Sequence, residues 1–125
     1  MYYFYIIIGG GIGALLRDSS SQFINSYMNI KFPFGTLFVN CVGALLIGFL
    51  VNMFDLFSIN IKWRLFLITG FLGGYTTFST YSLETVQFFI NGNIKCFFIN
   101  IFLNNFLCIL FVLLGMFASK IIFAK

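Results

Sequence analysis

The sequence predicts an all-α membrane protein with four transmembrane helices, and two observations carry this prediction. First, 61% of the 125 residues are hydrophobic and only 8% are charged, which leaves too little polar surface for a water-soluble domain. Second, the charged residues fall in a few places and leave four long apolar stretches, each near the roughly 20 residues that a spanning helix needs. These spans use most of the chain, so we expect a single transmembrane domain over residues 1–125.

The first span is predicted at residues 3–27. Gly9 and Gly13 lie four residues apart in its apolar part, and small residues at this spacing let helix backbones approach closely. Similar pairs recur in the other spans, so each span should have a face for close helix contact. Arg17 and the serines at 19–21 make the later turns polar, and these turns should face protein or water rather than lipid.

The second span is predicted at residues 34–57. It follows the only proline, Pro33, which suits the first turn of a helix because its missing N–H is not needed there. Asn40 occupies a position in this span that looks buried. Its amide either makes a hydrogen bond between helices or belongs to a polar pathway, and both interpretations stay open.

The third span, residues 63–90, would be roughly 42 Å long as an unbroken helix, well over the roughly 30 Å of the hydrocarbon core. Its centre reads GGYTTFSTYS, residues 73–82, with seven hydroxyl side chains and two glycines. Glycine is a poor helix former, and Ser and Thr can replace lost backbone hydrogen bonds. We therefore expect a central break, whose carbonyl oxygens suit a small hard cation and whose half-helix N-terminus suits an anion.

The fourth span, residues 96–119, contains no charged residue. Three of its polar positions share one helix face at a spacing of i, i+4 and i+8, namely Asn100, Asn104 and Cys108. For Asn104, a hydrogen bond between helices and a place in a pathway both stay open. Asn105 is expected to bond between helices.

Composition also excludes several kinds of chemistry. The chain has no histidine, so imidazole metal sites and histidine-based triads are excluded. The three carboxylates lie far apart in sequence, and no spacing indicates an acid/base pair. The three cysteines lie in apolar surroundings without paired spacing, so we interpret them as small apolar side chains rather than disulfides or ligands. We do not expect an enzyme.

Short linkers predict that sequential helices are antiparallel neighbours in one bundle. Basic residues outside the spans are nearly balanced between the two membrane sides, with one group on the side of Lys62, Arg64, Lys120 and Lys125 and the other on the side of Lys31, Lys95 and Arg17. The positive-inside rule then gives only a weak orientation, so the chain should be able to insert both ways up.

The polar groups of the spans are mostly hydrogen-bond donors. Phe78 and Tyr81 lie three residues apart on one helix face and add ring edges, which carry the positive end of the aromatic quadrupole. A narrow path of such groups suits a small, strongly hydrated anion. Arg17 either extends to the interface or forms a positively charged vestibule. Glu84 fits either a structural hydrogen bond to a helix end or a gating role.

Three segments resemble the Fluc or CrcB family of bacterial fluoride channels: GGGIGALLR at 9–17, PFGTLFVN at 33–40 and GFLGGYTTFSTYSLE at 70–84. The likeness covers essentially the whole chain. It implies a passive, fluoride-selective channel that exports fluoride across the bacterial inner membrane and lowers its concentration in the cytoplasm. It also implies a multi-pass protein that forms an antiparallel, dual-topology homodimer.

The resemblance implies roles for individual residues as well. In the family, backbone carbonyls of the broken third helix hold a structural Na⁺ at the dimer axis, and the matching positions are Gly73 and Thr76. The vestibule arginine matches Arg17. The positions assigned to the fluoride pathway on this basis are Asn40, Phe78, Ser79, Thr80, Tyr81, Asn100, Asn104 and Cys108.

Two positions depart from the family pattern. Tyr81 stands where the family usually has phenylalanine, which adds a phenolic O–H to the ring edge. Asp18 stands where an aromatic residue is common, which places a carboxylate next to Arg17 that would neutralise it and weaken anion attraction.

The alternative function is a small proton-coupled multidrug exporter of the four-helix type. Its coupling requires a carboxylate embedded in the first span, where this chain has only Asp18 near the end. A third class, an assembly subunit without transport, would need no donor-rich path.

Overall fold

The computed structural model describes residues 1–123, and all the regular elements in that range are helical. This confirms the predicted all-α class. Lys125, which the sequence places in a basic flank, lies outside the described residues. The elements are α1 (Tyr3–Met28), α2 (Phe34–Phe57), α3 (Ile61–Arg64), a π-helical stretch (Leu65–Leu72), α4 (Gly73–Tyr75), α5 (Phe78–Ile90) and α6 (Ile94–Phe123).

The connections between the long helices are short turns with left-handed backbone. Asn29 follows α1 with φ 42°, and Ser58 follows α2 with φ 48°. Gly92, with φ 74°, lies between α5 and α6. Residues in this conformation commonly end helices because they direct the chain away from the helix axis. The predicted second span coincides with α2, whereas α6 extends beyond the predicted fourth span at both ends.

The third helix has two halves. The first half, residues 61–75, comprises α3, the π-helical stretch and α4, and the second half is α5. In the π-helical stretch the hydrogen bonds reach back five residues, as in the bond from the Gly73 N–H to the Ile68 carbonyl. Such turns are rare and usually short. This stretch cannot be predicted from the sequence, because its apolar residues are compatible with either helical pattern.

Glycines bring α1 and the first half of the third helix into backbone contact. A Cβ at Gly13 would lie 2.1 Å from the Phe71 carbonyl oxygen, and one at Gly74 would lie 2.4 Å from the Gly10 carbonyl oxygen. Residues further along α1 contact residues further along the third helix, so the two helices run parallel. The prediction that small residues make close helix contacts is confirmed here.

A second glycine contact joins α2 to α6. A Cβ at Gly48 would lie 2.2 Å from the Val112 carbonyl oxygen, and one at Gly115 would lie 2.1 Å from the Leu45 carbonyl oxygen. These two helices also run parallel. The bundle therefore consists of two parallel helix pairs, and the second half of the third helix packs against α6 in the opposite direction, with Asn105 near Tyr81 and Asn100 near Thr85.

Two helices have both the length and the hydropathy to cross a membrane. The relevant windows of α2 and α6 have mean hydropathies of 2.2 and 2.5. The helix α1 is long enough, with 26 residues, but Arg17 and the polar residues around it lower its hydropathy. The third helix is divided into pieces that are each shorter than a span.

The distribution of polarity is the reverse of that in a water-soluble protein. Large apolar side chains cover the outside, for example Phe98, Phe102 and Leu113 on α6. Polar side chains lie inside the bundle, where hydrocarbon cannot reach them. The buried polar residues are Thr36, Thr77, Thr85, Asn100, Asn104 and Ser119.

Candidate functional site: polar residues at the divided third helix

The third helix leaves the helical conformation at Thr76 and Thr77. Their φ and ψ angles are −87° and 158°, and −147° and 119°, so both residues are extended. The α5 helix begins directly afterwards, and the Thr80 N–H donates to the Thr77 hydroxyl oxygen at 3.2 Å. Thr77 therefore caps the new helix, which satisfies one of the amides that a helix start leaves free.

The side chain of Asn40 holds the extended backbone in place. The Thr77 N–H donates to Asn40 Oδ1 at 2.8 Å, and Asn40 Nδ2 donates to the Thr77 carbonyl at 3.1 Å. One amide thus replaces both hydrogen bonds that a helix would give this residue. Non-helical backbone at membrane depth requires such replacement because no water is present to provide it.

Two backbone carbonyls lose their helical partners at this point. In an α-helix the Gly73 carbonyl accepts from the amide of Thr77, and the Thr76 carbonyl accepts from that of Thr80. Here the first amide donates to Asn40 and the second to the Thr77 hydroxyl. Carbonyl oxygens are the ligands that small hard cations prefer, so this donor set fits Na⁺.

The outer side of Gly73 is open in the single chain. A Cβ built there would meet no atom within 4 Å among the described residues. The two carbonyls therefore lie beside a surface that another molecule can approach.

A chain of hydrogen bonds runs from Asn40 along α6. Asn40 Nδ2 donates to Asn104 Oδ1 at 3.1 Å, and Asn104 Nδ2 donates to Asn100 Oδ1 at 2.9 Å. Asn100 Nδ2 then donates to the Thr85 hydroxyl oxygen at 2.9 Å, and this hydroxyl donates to the Tyr81 carbonyl at 2.7 Å. This series of hydrogen bonds joins α2, α5 and α6. The side-chain amides of Asn40 and Asn104 therefore make the hydrogen bonds between helices that were one of their two expected roles.

A cavity of about 420 Å³ lies beside the extended residues. It brings together most of the predicted site, and the residues that line it include Asn40, Gly73, Thr76, Thr77, Phe78, Tyr81, Asn104, Asn105 and Cys108. The rings of Phe78 and Tyr81 lie edge to face with centroids 5.3 Å apart. Phe78 is 75% exposed, whereas Tyr81 is only 7% exposed.

Tyr81 lines this cavity, and its hydroxyl oxygen accepts a hydrogen bond. Asn105 Nδ2 donates to the Tyr81 hydroxyl oxygen at 3.0 Å, so the oxygen acts as the acceptor in that bond. The phenolic proton is then available to an anion. Asn105 thus makes its expected contact between helices and also lines the cavity, a second role that sequence analysis missed.

Three predicted pathway residues do not line the cavity. Ser79 and Thr80 lie in the first turn of α5, where both contact the Thr77 hydroxyl, at 3.3 and 3.0 Å. Asn100 is completely buried within the hydrogen-bond chain. Their assignment to the fluoride pathway stays a prediction.

Glu84 lies at a second, polar cavity of about 660 Å³, which is also lined by Asn25, Lys31 and Gln87. Its Oε1 accepts from the hydroxyl of Thr36, in the first turn of α2, at 2.7 Å. Its Oε2 is buried without a hydrogen-bond partner among the described residues. The contact agrees with a structural bond to a helix end, and the gating role stays open.

Arg17 is half-buried, and it does not pair with Asp18. The one ion pair within residues 1–123 is between Arg64 and Asp55, with their charged atoms 3.0 Å apart. Asp18 instead accepts from Gln22 Nε2 at 2.7 Å. The two side chains make no direct ion pair, because adjacent residues of a helix point to different sides. That the Asp18 carboxylate weakens anion attraction at Arg17 stays a prediction.

Comparison with known proteins places these features in a family. The family model described as "CrcB-like protein, Camphor Resistance (CrcB)" matches residues 4–116. The chain belongs to the CrcB family.

Three curated relatives that match over nearly their whole length are each named "Fluoride-specific ion channel FluC". The relative from Campylobacter fetus is 43% identical over 122 residues, which cover 97% of this chain and 95% of the relative. The relative from Hydrogenobaculum is 43% identical over 98% of this chain and 100% of its own length. One from Clostridium perfringens is 44% identical over 93% of this chain and 91% of its own length.

The capping hydroxyl of Thr77 provides a first prediction. Replacing Thr77 by alanine should destabilise the protein by about 0.5–2 kcal/mol, because the Thr80 N–H loses its acceptor. Thr77→Ser keeps the hydroxyl and should restore most of the loss. Thermal unfolding in detergent measures both variants, and equal stability of the alanine and serine proteins would contradict the capping role.

Proposed function

We propose that this protein is a passive, fluoride-selective ion channel, not an enzyme. The observation that carries the proposal is the match of nearly the whole chain to relatives named as fluoride-specific ion channels. The geometry supports it, because the cavity beside Thr76 and Thr77 combines ring edges, a phenolic hydroxyl and amides inside an apolar bundle. Such groups replace the hydration shell of a small anion without placing a charged residue in the pathway.

Fluoride export needs no coupled energy source in this proposal. A membrane potential that is negative inside drives an anion outward, with about 2.3 kcal/mol per charge per 100 mV. Hydrogen fluoride enters a cell as a neutral molecule and dissociates inside, which supplies the fluoride. The protein would therefore act in the bacterial inner membrane as a multi-pass channel that lowers the cytoplasmic fluoride concentration.

We further propose an antiparallel, dual-topology homodimer with Na⁺ at its axis. One chain supplies only the two carbonyls of Gly73 and Thr76, and hard cations take more oxygen ligands than two. A second copy related by two-fold symmetry would double the number of carbonyl ligands around the ion. The polar residues Ser79, Thr80 and Asn105 are also exposed in the single chain, and polar side chains at membrane depth usually face protein or water rather than lipid.

Ion efflux from liposomes tests the proposed activity. Purified protein should release fluoride, measured with a fluoride electrode, once a potassium ionophore supplies the compensating current. It should release no chloride under the same conditions and should need no proton gradient. Equal chloride release, or efflux of organic cations that depends on a proton gradient, would overturn the proposal.

A separate experiment tests Na⁺ and the dimer. Replacing Na⁺ by N-methylglucamine should lower the unfolding temperature of the purified protein, because a ligand that binds only the folded state stabilises it. An added Cβ at Gly73 meets no atom within 4 Å among residues 1–123, so Gly73→Val should leave the single chain folded and should weaken the dimer on size-exclusion chromatography. The matched control is Gly11→Val, which is equally unobstructed. Identical dimers in both variants would contradict the assigned interface.

The hydroxyl of Tyr81 gives a further prediction. Tyr81→Phe should keep the preference for fluoride over chloride, because the ring edge that faces the cavity remains. Its flux should fall by only several-fold, since the loss is one neutral hydrogen bond worth about 1 kcal/mol. The rates of fluoride efflux and of chloride efflux from liposomes test this expectation. A variant that conducts chloride as well as fluoride would show that the hydroxyl, not the ring, decides selectivity.

A further inference from the structure

We propose that Gly43 is a positioning residue for the cation site at the divided third helix. Gly43 is buried on α2 and lines the central cavity together with Thr76. A Cβ built on Gly43 would lie 2.2 Å from the Thr76 methyl carbon, Cγ2. The methyl group of Thr76 therefore occupies the space that a side chain at residue 43 would need.

Two hydrogen bonds attach Thr76 to the first half of the third helix. The Thr76 hydroxyl donates to the Leu72 carbonyl at 2.9 Å, and the Thr76 N–H donates to the same carbonyl at 3.0 Å. Threonine is branched at Cβ, so its side chain has few allowed rotamers. With the hydroxyl bound to Leu72, the methyl group is directed towards α2, into the space at Gly43.

One face of α2 holds both extended residues. Asn40 and Gly43 are three residues apart in this helix and therefore lie on the same side of it. Asn40 bonds to the N–H and to the carbonyl of Thr77, and Gly43 leaves room for the methyl group of Thr76. A polar side chain thus fixes the second extended residue, and the absence of a side chain fixes the first.

The distances indicate that a methyl group added at residue 43 would displace Thr76. Carbon atoms that are not bonded pack at about 3.5–4.0 Å, so the Thr76 methyl would have to move by more than about 1 Å. Rotation of the side chain alone would separate the hydroxyl from the Leu72 carbonyl. We therefore expect the backbone of Thr76 to move, and its carbonyl oxygen with it.

The consequence for Na⁺ deepens the proposed function and rests on it. The Thr76 carbonyl is one of the two that a single chain would supply to the ion, and the groups of a binding site must be held within about 0.5 Å of their working positions. A displaced Thr76 would therefore weaken Na⁺ binding. The contact between Gly43 and Thr76 does not depend on the ion.

A double-mutant cycle with Gly43→Ala and Thr76→Ser tests the proposal. Thr76→Ser removes the methyl group and keeps the hydroxyl. Thermal unfolding of the unmodified protein, the two single variants and the double variant is measured in detergent while Na⁺ replaces N-methylglucamine. The Na⁺ concentration at half of the full rise in unfolding temperature, the Na⁺ midpoint, is compared between the proteins, because an ion that binds only the folded state stabilises it.

Gly43→Ala should raise the Na⁺ midpoint by at least about 10-fold, because the carbonyl moves further than a binding site tolerates. It should also lower the unfolding temperature without Na⁺, as overpacking does. The double variant should have the Na⁺ midpoint of Thr76→Ser alone, since the serine has no methyl group to meet the added Cβ.

Gly48→Ala is the matched control on the same helix. Its added Cβ would lie 2.2 Å from the Val112 carbonyl oxygen, a backbone atom of α6. This variant should also unfold at a lower temperature, but the addition of Thr76→Ser should not restore it. Recovery of both glycine variants would show that the serine stabilises the protein in general, and it would contradict a specific contact.

Two further outcomes would overturn the proposal. One is an unchanged Na⁺ midpoint in Gly43→Ala, and the other is a raised midpoint that Thr76→Ser does not reverse. If Gly43→Ala alone does not fold, recovery of the yield in the double variant supports the contact, and continued failure contradicts it.

Failure of the proposed Na⁺ site would look different. Na⁺ would then have no effect on the unfolding temperature of the unmodified protein. The unfolding temperatures of the four proteins in N-methylglucamine would still show whether Thr76→Ser reverses the effect of Gly43→Ala.

Discussion

Replacing Asn40 by alanine is expected to reduce fluoride efflux by about 100-fold. The change removes the acceptor for the Thr77 N–H and the donor for the Thr77 carbonyl. Each backbone group that is left buried without a partner costs about 1–3 kcal/mol. The loss for two such groups is about 2–6 kcal/mol, and its central value of about 4 kcal/mol is larger than the 2.8 kcal/mol or so that corresponds to a factor of 100. The extended residues would then shift, and the cavity they border would change shape.

Asn52→Ala is the matched control for this variant. Asn52 lies on the same helix, and its Nδ2 is buried without a hydrogen-bond partner among residues 1–123. Its removal should leave efflux and thermal stability near those of the unmodified protein. Fluoride efflux from liposomes at equal protein content compares the activity of the two variants, and thermal unfolding in detergent compares their stability. If Asn40→Ala conducts fluoride as fast as Asn52→Ala, Asn40 does not hold the pathway in shape.

Replacing Gly13 by alanine should have the largest effect on folding. Its added Cβ would lie 2.1 Å from the Phe71 carbonyl oxygen and 2.9 Å from the Tyr75 backbone nitrogen. Both obstacles are backbone atoms, so α1 must move away from the first half of the third helix. Overpacking of this kind costs about 1–3 kcal/mol and occasionally more. We expect low yield and a broad, aggregated profile on size-exclusion chromatography.

Gly11→Ala makes the same substitution two residues earlier in the same helix. A Cβ at Gly11 would meet no atom within 4 Å in the described part of the chain. This variant should therefore elute as a single symmetric peak. A well-folded Gly13→Ala protein, indistinguishable from Gly11→Ala in yield and unfolding temperature, would show that the glycine contact is not required.

Much of the fold was predictable because membrane helices are specified by simple properties. Length and apolar composition located the helices, and the second span at 34–57 coincides with α2. Small residues four apart, such as Gly9 and Gly13, marked the faces where helix backbones touch. The π-helical stretch Leu65–Leu72 was not predictable, since its hydrogen bonds depend on packing against α1 rather than on residue type.

The candidate site was predictable in composition but not in its connections. The cluster of hydroxyls at 73–82 indicated where polar backbone could occur, but seven similar side chains did not reveal that Thr77 alone would bond to Asn40. Contacts across helices of this kind depend on register and rotation, which no local pattern records.

The two carbonyls released from helical bonding at Gly73 and Thr76 have a consequence for the life of the protein in a cell. A subunit whose open side met lipid would expose these groups to hydrocarbon, where each unsatisfied group costs several kcal/mol. A newly inserted single chain would then be the least stable form of the protein. It would be open to membrane proteases until the side with these two carbonyls is covered. If two chains pair as in the proposed homodimer, abundance in the membrane would follow the rate of pairing more closely than the rate of synthesis.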